Sequence, residues 1–110
     1  MSLNILNFDI QGAPGGSIPN EWSHSGVVGS GDMETLLLKR KQNGLVKVRI
    51  CTPVTGFDHV WKMVLNKFVT ESGCGDLDIE INDNNATPFV VSLRLRQALA
   101  EARGGDIDEI

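Results

Sequence analysis

Tyrosine is absent from this 110-residue chain, and aromatic residues make up only 5% of it. A broad aromatic binding surface is therefore not expected. Basic residues are also in the minority: ten Lys and Arg stand against fourteen Asp and Glu, a net charge of −4. Sequence-independent binding to nucleic acid needs a basic face to neutralise phosphates, and this balance does not supply one. No apolar run approaches the roughly 20 residues that a membrane-spanning helix requires, so no direct membrane insertion is expected. Residues 1–9 carry neither a basic segment nor a long apolar stretch of the secretory kind, and the expectation is a cytoplasmic protein. The two cysteines, Cys51 and Cys74, are far apart and belong to no Cys-x-x-Cys or Cys/His cluster. They read as free, largely buried thiols in a reducing compartment.

Catalytic signatures are missing as well. There is no Gly-x-Ser-x-Gly, no phosphate-binding loop and no Gly-x-Gly-x-x-Gly. His24 and His59 lack any partner at catalytic or metal-binding spacing, so no metal site is expected. Asp76, Asp78, Glu80 and Asp83 lie in and beside an alternating strand pattern and read as a solvated sheet face, because the calcium-loop spacing is absent.

What the chain does contain is the apolar content of one modest core, 41% of residues, which fits a single domain of this length. Residues 1–24 are rich in Gly, Pro and Ser and read as a flexible lead-in, with Trp22 tacking it to the domain. Gly26-Val27-Val28 is short and β-prone. Residues 33–39 form a second apolar run, and Asn43-Gly44 is a strong hairpin signal. Val46, Val48 and Ile50 alternate with Lys47 and Arg49, a half-buried strand. These three segments predict an antiparallel meander. Thr55-Gly56-Phe57-Asp58 resembles a capping box. The spacing of Phe57, Val60, Trp61, Val64, Leu65 and Phe68 predicts an amphipathic helix. Leu77, Ile79 and Ile81 alternate with polar residues as a fourth strand. Thr87 and Pro88 open a second helix, whose inner stripe is Val91, Leu95, Ala98, Leu99 and Ala102. Gly104-Gly105 ends it, and residues 104–110 are an acidic tail. The expected fold is α+β: a two-layer sandwich of a four-stranded, mainly antiparallel sheet and two helices, ordered β-β-β-α-β-α, with the domain spanning residues 25–103.

Two segments bear on function. Lys39-Arg40-Lys41, with Lys47 and Arg49 expected nearby across the hairpin, reads as a solvated hairpin end or as a small anion patch. In Val28-Gly29-Ser30-Gly31-Asp32 a serine stands between two glycines in a tight turn, sterically open from both sides. A modifying enzyme that must reach a hydroxyl needs such access. Gly-Ser-Gly-Asp is also good turn chemistry in its own right, so the spacing leaves both readings open.

The segment Val28-Gly29-Ser30-Gly31-Asp32-Met33-Glu34-Thr35-Leu36 resembles the acyl carrier subunits of malonate decarboxylase, relatives of the citrate lyase acyl carriers. So does Ile79-Glu80-Ile81-Asn82-Asp83-Asn84-Asn85-Ala86-Thr87-Pro88, running on through Val90-Val91-Ser92-Leu93-Arg94-Leu95-Arg96-Gln97-Ala98-Leu99. The likeness spans roughly residues 25–102. It implies a non-catalytic carrier bearing a 2′-(5″-phosphoribosyl)-3′-dephospho-CoA group, joined by a phosphodiester to Ser30, with Gly29, Gly31 and Asp32 forming the attachment turn. Acetyl and malonyl would ride as thioesters on that arm, served by partner transferase and decarboxylase subunits and by a prosthetic-group-attaching transferase. A citrate-lyase-type carrier and a small interaction domain without the arm are the alternatives. The tripeptide Asp-Ser-Leu of four-helix acyl carriers does not occur.

Overall fold

Alternation of side chains along extended segments dictates the architecture. The computed structural model describes residues 3–104. Its elements are β1 (Asn4–Gln11), β2 (Trp22–Gly26), β3 (Asp32–Lys39), β4 (Leu45–Thr52), α1 (Asp58–Ser72), β5 (Leu77–Asn84) and α2 (Pro88–Ala102). The strands form one mixed sheet in the order β1-β4-β5-β3-β2. Each strand sends alternate residues inward, as a two-residue period requires: Val46, Val48 and Ile50 on β4, Leu77, Ile79 and Ile81 on β5, and Met33 and Leu37 on β3. Both helices lay buried stripes on that face, and strands and helices share one core cluster.

The α+β class and the two helices are as expected, but the sheet has five strands and is mixed. The additional strand is β1, in the segment read as a loose lead-in. Leu6, Phe8 and Ile10 turn inward while Asn7 and Asp9 face out, and the strand pairs antiparallel with β4. The Gly/Pro stretch that follows is pinned by backbone bonds from Gly12 N–H to Gly44 O, Ala13 N–H to Cys74 O and Gly75 N–H to Gly16 O. The carboxylate of Asp76 completes the knot by accepting the N–H groups of Gly15, Gln42 and Gly44 at 2.7–2.9 Å. These three donors hold its pKa below the usual carboxylate range. Asp76 is therefore a buried anchor rather than part of a solvated face. The same holds for Asp83, which accepts the Thr52 hydroxyl and the Ala86 N–H. Asp78 and Glu80 do lie on the outer face.

The expected meander also gives way. Asn43 and Gly44 have the positive φ values, 58° and 85°, that their hairpin signature calls for. Their turn nevertheless arches over the start of β5, which enters the sheet between β3 and β4. Arg40 N–H donates to Asp76 O, and the Gln42 side chain donates to Leu45 O and Leu77 O, stitching the arch across β5. Strand β5 thereby takes the centre of the sheet, hydrogen-bonded along both edges. Strands β4 and β5 then run parallel, joined by the α1 crossover, and β5 runs antiparallel to β3. The short strand expected at residues 26–28 lies earlier, at Trp22–Gly26. Val27 and Val28 fall outside it.

Helix α1 starts one residue after Phe57, and no side chain caps it, so the expected capping box does not form. Helix α2 matches its sequence pattern closely. Thr87 Oγ1 accepts from Val90 N–H, Pro88 occupies the first turn, and the five predicted stripe residues are the buried ones. The predicted acidic tail beyond Gly104 lies outside the described residues. Cys74 is buried and Cys51 half-buried, and both are free thiols. Burial pushes the Cys74 thiol pKa up, which makes it a poor nucleophile.

One inward position is chemically mismatched. Thr35 on β3 is completely buried, and its hydroxyl has no hydrogen-bond partner among the described residues. An orphaned buried hydroxyl costs on the order of 1 kcal/mol. Thr35→Val keeps the shape and removes that cost, so urea unfolding should show a gain of about 1 kcal/mol. A loss of stability would mean the hydroxyl is satisfied in solution.

Candidate functional site

The connection between β2 and β3, residues 27–31, leaves the sheet at the end where β5 finishes. Gly29 O accepts the Asp32 N–H at 3.0 Å and closes a four-residue turn over residues 29–32. Gly31 occupies the third position with φ +74°, where a type II turn requires a left-handed residue. Its own N–H donates to Asn84 O at 2.8 Å, tying the turn to the end of β5. Ser30 is exposed at the tip. Among the described residues, a Cβ built on Gly29 or on Gly31 would meet nothing within 4 Å, so open space flanks the serine on both sides.

Below this open tip the loop is clamped. Asp32 begins β3, and its carboxylate takes the Arg94 guanidinium of α2 in a two-pronged pair, Oδ1 to Nε at 2.9 Å and Oδ2 to Nη2 at 2.7 Å. The Oδ1 atom also accepts the Met33 N–H. The third arm of the guanidinium, Nη1, donates to Gln97 Oε1 at 2.9 Å, and the same oxygen accepts the Ser25 hydroxyl at 3.1 Å. Ser25 is on β2. One guanidinium thus straps both strands that flank the Ser30 loop to the same helix. Gly26 is fixed by this arrangement. Its φ is +87°, and a Cβ there would stand 2.2 Å from Met33 O and 3.1 Å from Arg94 Cδ. A side chain at this position would push the clamp apart.

The hydrogen bonds from Arg94, and next the Met33 N–H, hold the Asp32 carboxyl below its usual pKa. Asp32 in turn raises that of Arg94. Because the folded pKa of Asp32 is depressed, its contribution to stability is complete above the ordinary carboxylate pKa. That contribution is lost as pH falls through the folded value.

The structure disperses the basic residues that the sequence groups together. Lys39, Arg40 and Lys41 lie at the far end of β3 from Ser30, about 23 Å along the strand at ~3.3 Å per residue. Arg40 is paired with Asp78 at 3.3 Å. Lys47 and Arg49 are on β4, separated from β3 by β5, and stand in register with Asp78 and Glu80. The outer sheet face is thus a lattice of alternating charge. His24 lies on that face, 3.0 Å from Glu34, while His59 is exposed on α1 behind the sheet. Glu34 is held below its usual pKa by His24 and then Asn82. Gly29, Ser30, Gly31 and Asp32, singled out by sequence, share this one turn, whereas no sequence motif pointed to the clamp that Arg94, Gln97 and Ser25 form beneath it. The available signal was the three-residue spacing of Arg94 and Gln97 beside the buried stripe of α2.

Fold and site together define a small α+β domain that presents a serine on an open, rigidly based turn. Residues 20–102 match the family model described as malonate decarboxylase delta subunit (MdcD). The chain is 50% identical over 104 residues to the malonate decarboxylase acyl carrier protein of Malonomonas rubra, covering 94% of this chain and 93% of that one. It is 39% identical over 102 residues to the protein of the same name from Acinetobacter calcoaceticus, covering 93% and 99%. A chain in the crystal structure of a Pseudomonas malonate decarboxylase hetero-tetramer in complex with malonate superposes with a TM-score of 0.75. It is 34% identical, with 90% of this chain and 98% of that one covered. The chain belongs to the malonate decarboxylase delta-subunit family, the acyl carrier proteins of that enzyme.

The clamp makes a pH-dependent prediction. Asp32→Asn keeps the side-chain size but breaks the charged pair, and should cost about 1 kcal/mol at neutral pH for a partly exposed ion pair. The deficit should shrink as pH is lowered through the carboxylate range, where the wild type loses the same charge. Chemical denaturation at a series of pH values measures this, and a deficit independent of pH would mean that the pair does not tie the loop down.

Proposed function

We propose that Ser30 carries the covalent arm of this acyl carrier subunit, a 2′-(5″-phosphoribosyl)-3′-dephospho-CoA group joined through a phosphodiester. That group supplies a terminal thiol on which acetyl and malonyl travel as thioesters. The observation that carries this reading is the pairing of an exposed hydroxyl with a clamped base.

The residues at the turn fit such a group. The open space beside Gly29 and Gly31 leaves room for a bulky substituent on Ser30. A phosphodiester is an anion, and the nearby Asp32 carboxylate would repel it if it were unpaired. The Arg94 guanidinium at 2.7–2.9 Å cancels that charge. Ser25, the neighbouring serine on β2, is buried with its hydroxyl on Gln97, which makes it a poor acceptor. Asp32 acts in this account as a turn-forming and positioning residue. Its oxygens are committed to Arg94 and the Met33 N–H, which leaves it ill-suited to act as a base in attachment.

The chain then works by tethering. A fixed turn gives the arm one starting point, and the arm sweeps a volume in which the acyl group reaches a high effective concentration at each partner active site. The chemistry belongs to the partners: a transferase that exchanges acetyl for malonyl, a decarboxylase that releases CO2, and a separate enzyme that attaches the arm. No described helix is long and apolar enough to cross a membrane, and cytoplasmic partners complete this reading.

The test is intact-mass measurement after incubation with the attaching enzyme and its phosphoribosyl-dephospho-CoA precursor. The wild type should gain one arm per chain. Ser30→Ala should gain nothing while unfolding within about 0.5 kcal/mol of the wild type, as expected for an exposed turn position. A Ser30→Ala protein that gains the same mass would place the arm elsewhere.

A further inference from the structure

The two sides of Ser30 are unequal. On its C-terminal side Gly31 and Asp32 are bonded to β5 and α2. On its N-terminal side stand Val27 and Val28, 66% and 51% exposed. Branched apolar side chains of this kind favour a pleated, half-buried strand. Strand β2 stops short of them, because Gly26, paired with Glu34, is the last residue in register with β3. The two valines are left in solvent by the same glycine that admits Arg94 to the clamp.

We propose that Val27 and Val28 form the apolar grip by which the arm-attaching enzyme seats the Ser30 loop. The inference rests on Ser30 being the attachment point. An active site that closes on the Ser30 hydroxyl must surround the turn. Residues two and three positions away lie within roughly 10 Å at ~3.3 Å per residue, inside that footprint. Trp22 and Met63, exposed to a similar degree, do not meet this condition. Trp22 is at the opposite end of β2, and Met63 is on α1. The occupant is therefore an enzyme with an apolar lip beside its serine-accepting site. The valines supply binding area on the side of the loop that can yield, while the clamped side holds the hydroxyl at a fixed height. Contacts of this kind are made equally before and during the reaction, so they act on binding and leave the chemical step unchanged.

The experiment measures affinity for the purified attaching enzyme in a Ser30→Ala background, so that binding is read whether or not an arm can be added. Adding Val27→Ser and Val28→Ser together should weaken the Kd by about tenfold or more, the loss expected when two exposed valines no longer bury apolar area. Trp22→Ser in the same background should bind as tightly as its parent. With Ser30 restored, the double valine variant should show a raised KM for arm attachment and an unchanged kcat. Kd values within twofold across all three proteins, or no measurable binding by the Ser30→Ala parent, would overturn the proposal. A failure of the attachment reading looks different. Ser30→Ala would then still gain the mass of the arm, whatever the valines do to affinity. Unfolding midpoints of the variants report separately on the fold, which exposed positions should leave intact.

Discussion

The two-pronged pair between Asp32 and Arg94 is the contact on which the candidate site depends. Without it β2 would be an edge strand of five residues carrying two inward serines, Ser23 and Ser25, in place of an apolar stripe. Such a strand has little hydrophobic reason to stay. The Ser23 hydroxyl bonds Ala98 O, Ser25 bonds Gln97, and Gln97 is held by the guanidinium that also holds Asp32. Polar bonds to one helix thus replace the apolar packing that secures the other strands. A guanidinium suits this task because its planar donors can satisfy a carboxylate with one edge and an amide oxygen with the remaining arm.

The rest of the fold serves to place α2 where that pair can form. Strand β5, apolar on its inner face, takes the centre of the sheet and delivers the chain through Asp83, Asn84 and Thr87 to the start of α2. Gly31 leans on the last residue of the same strand. The Ser30 turn is therefore referenced to the most deeply embedded strand on one side and to a packed helix on the other. At the opposite end of the sheet, Asp76 gathers three backbone N–H groups and binds the early Gly/Pro segment to the start of β5. The open tip and the buried knot lie at opposite ends of the molecule. The exposed Ser30 tip is thereby kept away from the part that holds the chain's first segment in place.

How much of this was legible in the sequence follows from which forces were at work. Both helices and strands β3, β4 and β5 were visible because their burial is periodic and apolar. The stripe of α2 was readable residue by residue. Strand β1 carried the same alternation in Leu6, Phe8 and Ile10, but a neighbouring Gly/Pro stretch suggested a loose segment, and it is backbone bonds that make that stretch rigid. Strand β2 could not be read by hydropathy, since its inward residues are serines. The Asn43-Gly44 turn has the backbone its signature calls for, yet the strands it joins are separated by β5, a long-range pairing that no local motif encodes. Ser30 and its glycines were legible as local turn chemistry. Arg94 was not, because it meets Asp32 across 62 residues of chain.

The central claim is that an open, clamped turn was built to bear a covalent arm at Ser30. Peptide mapping by tandem mass spectrometry of the protein isolated from its own organism addresses it most directly, since the attaching enzyme is then present. The account predicts a phosphodiester-linked adduct on the fragment containing Gly29-Ser30-Gly31, with Ser23 and Ser25 unmodified. An adduct on another residue, or a chain that carries none while its decarboxylase is active, would contradict it.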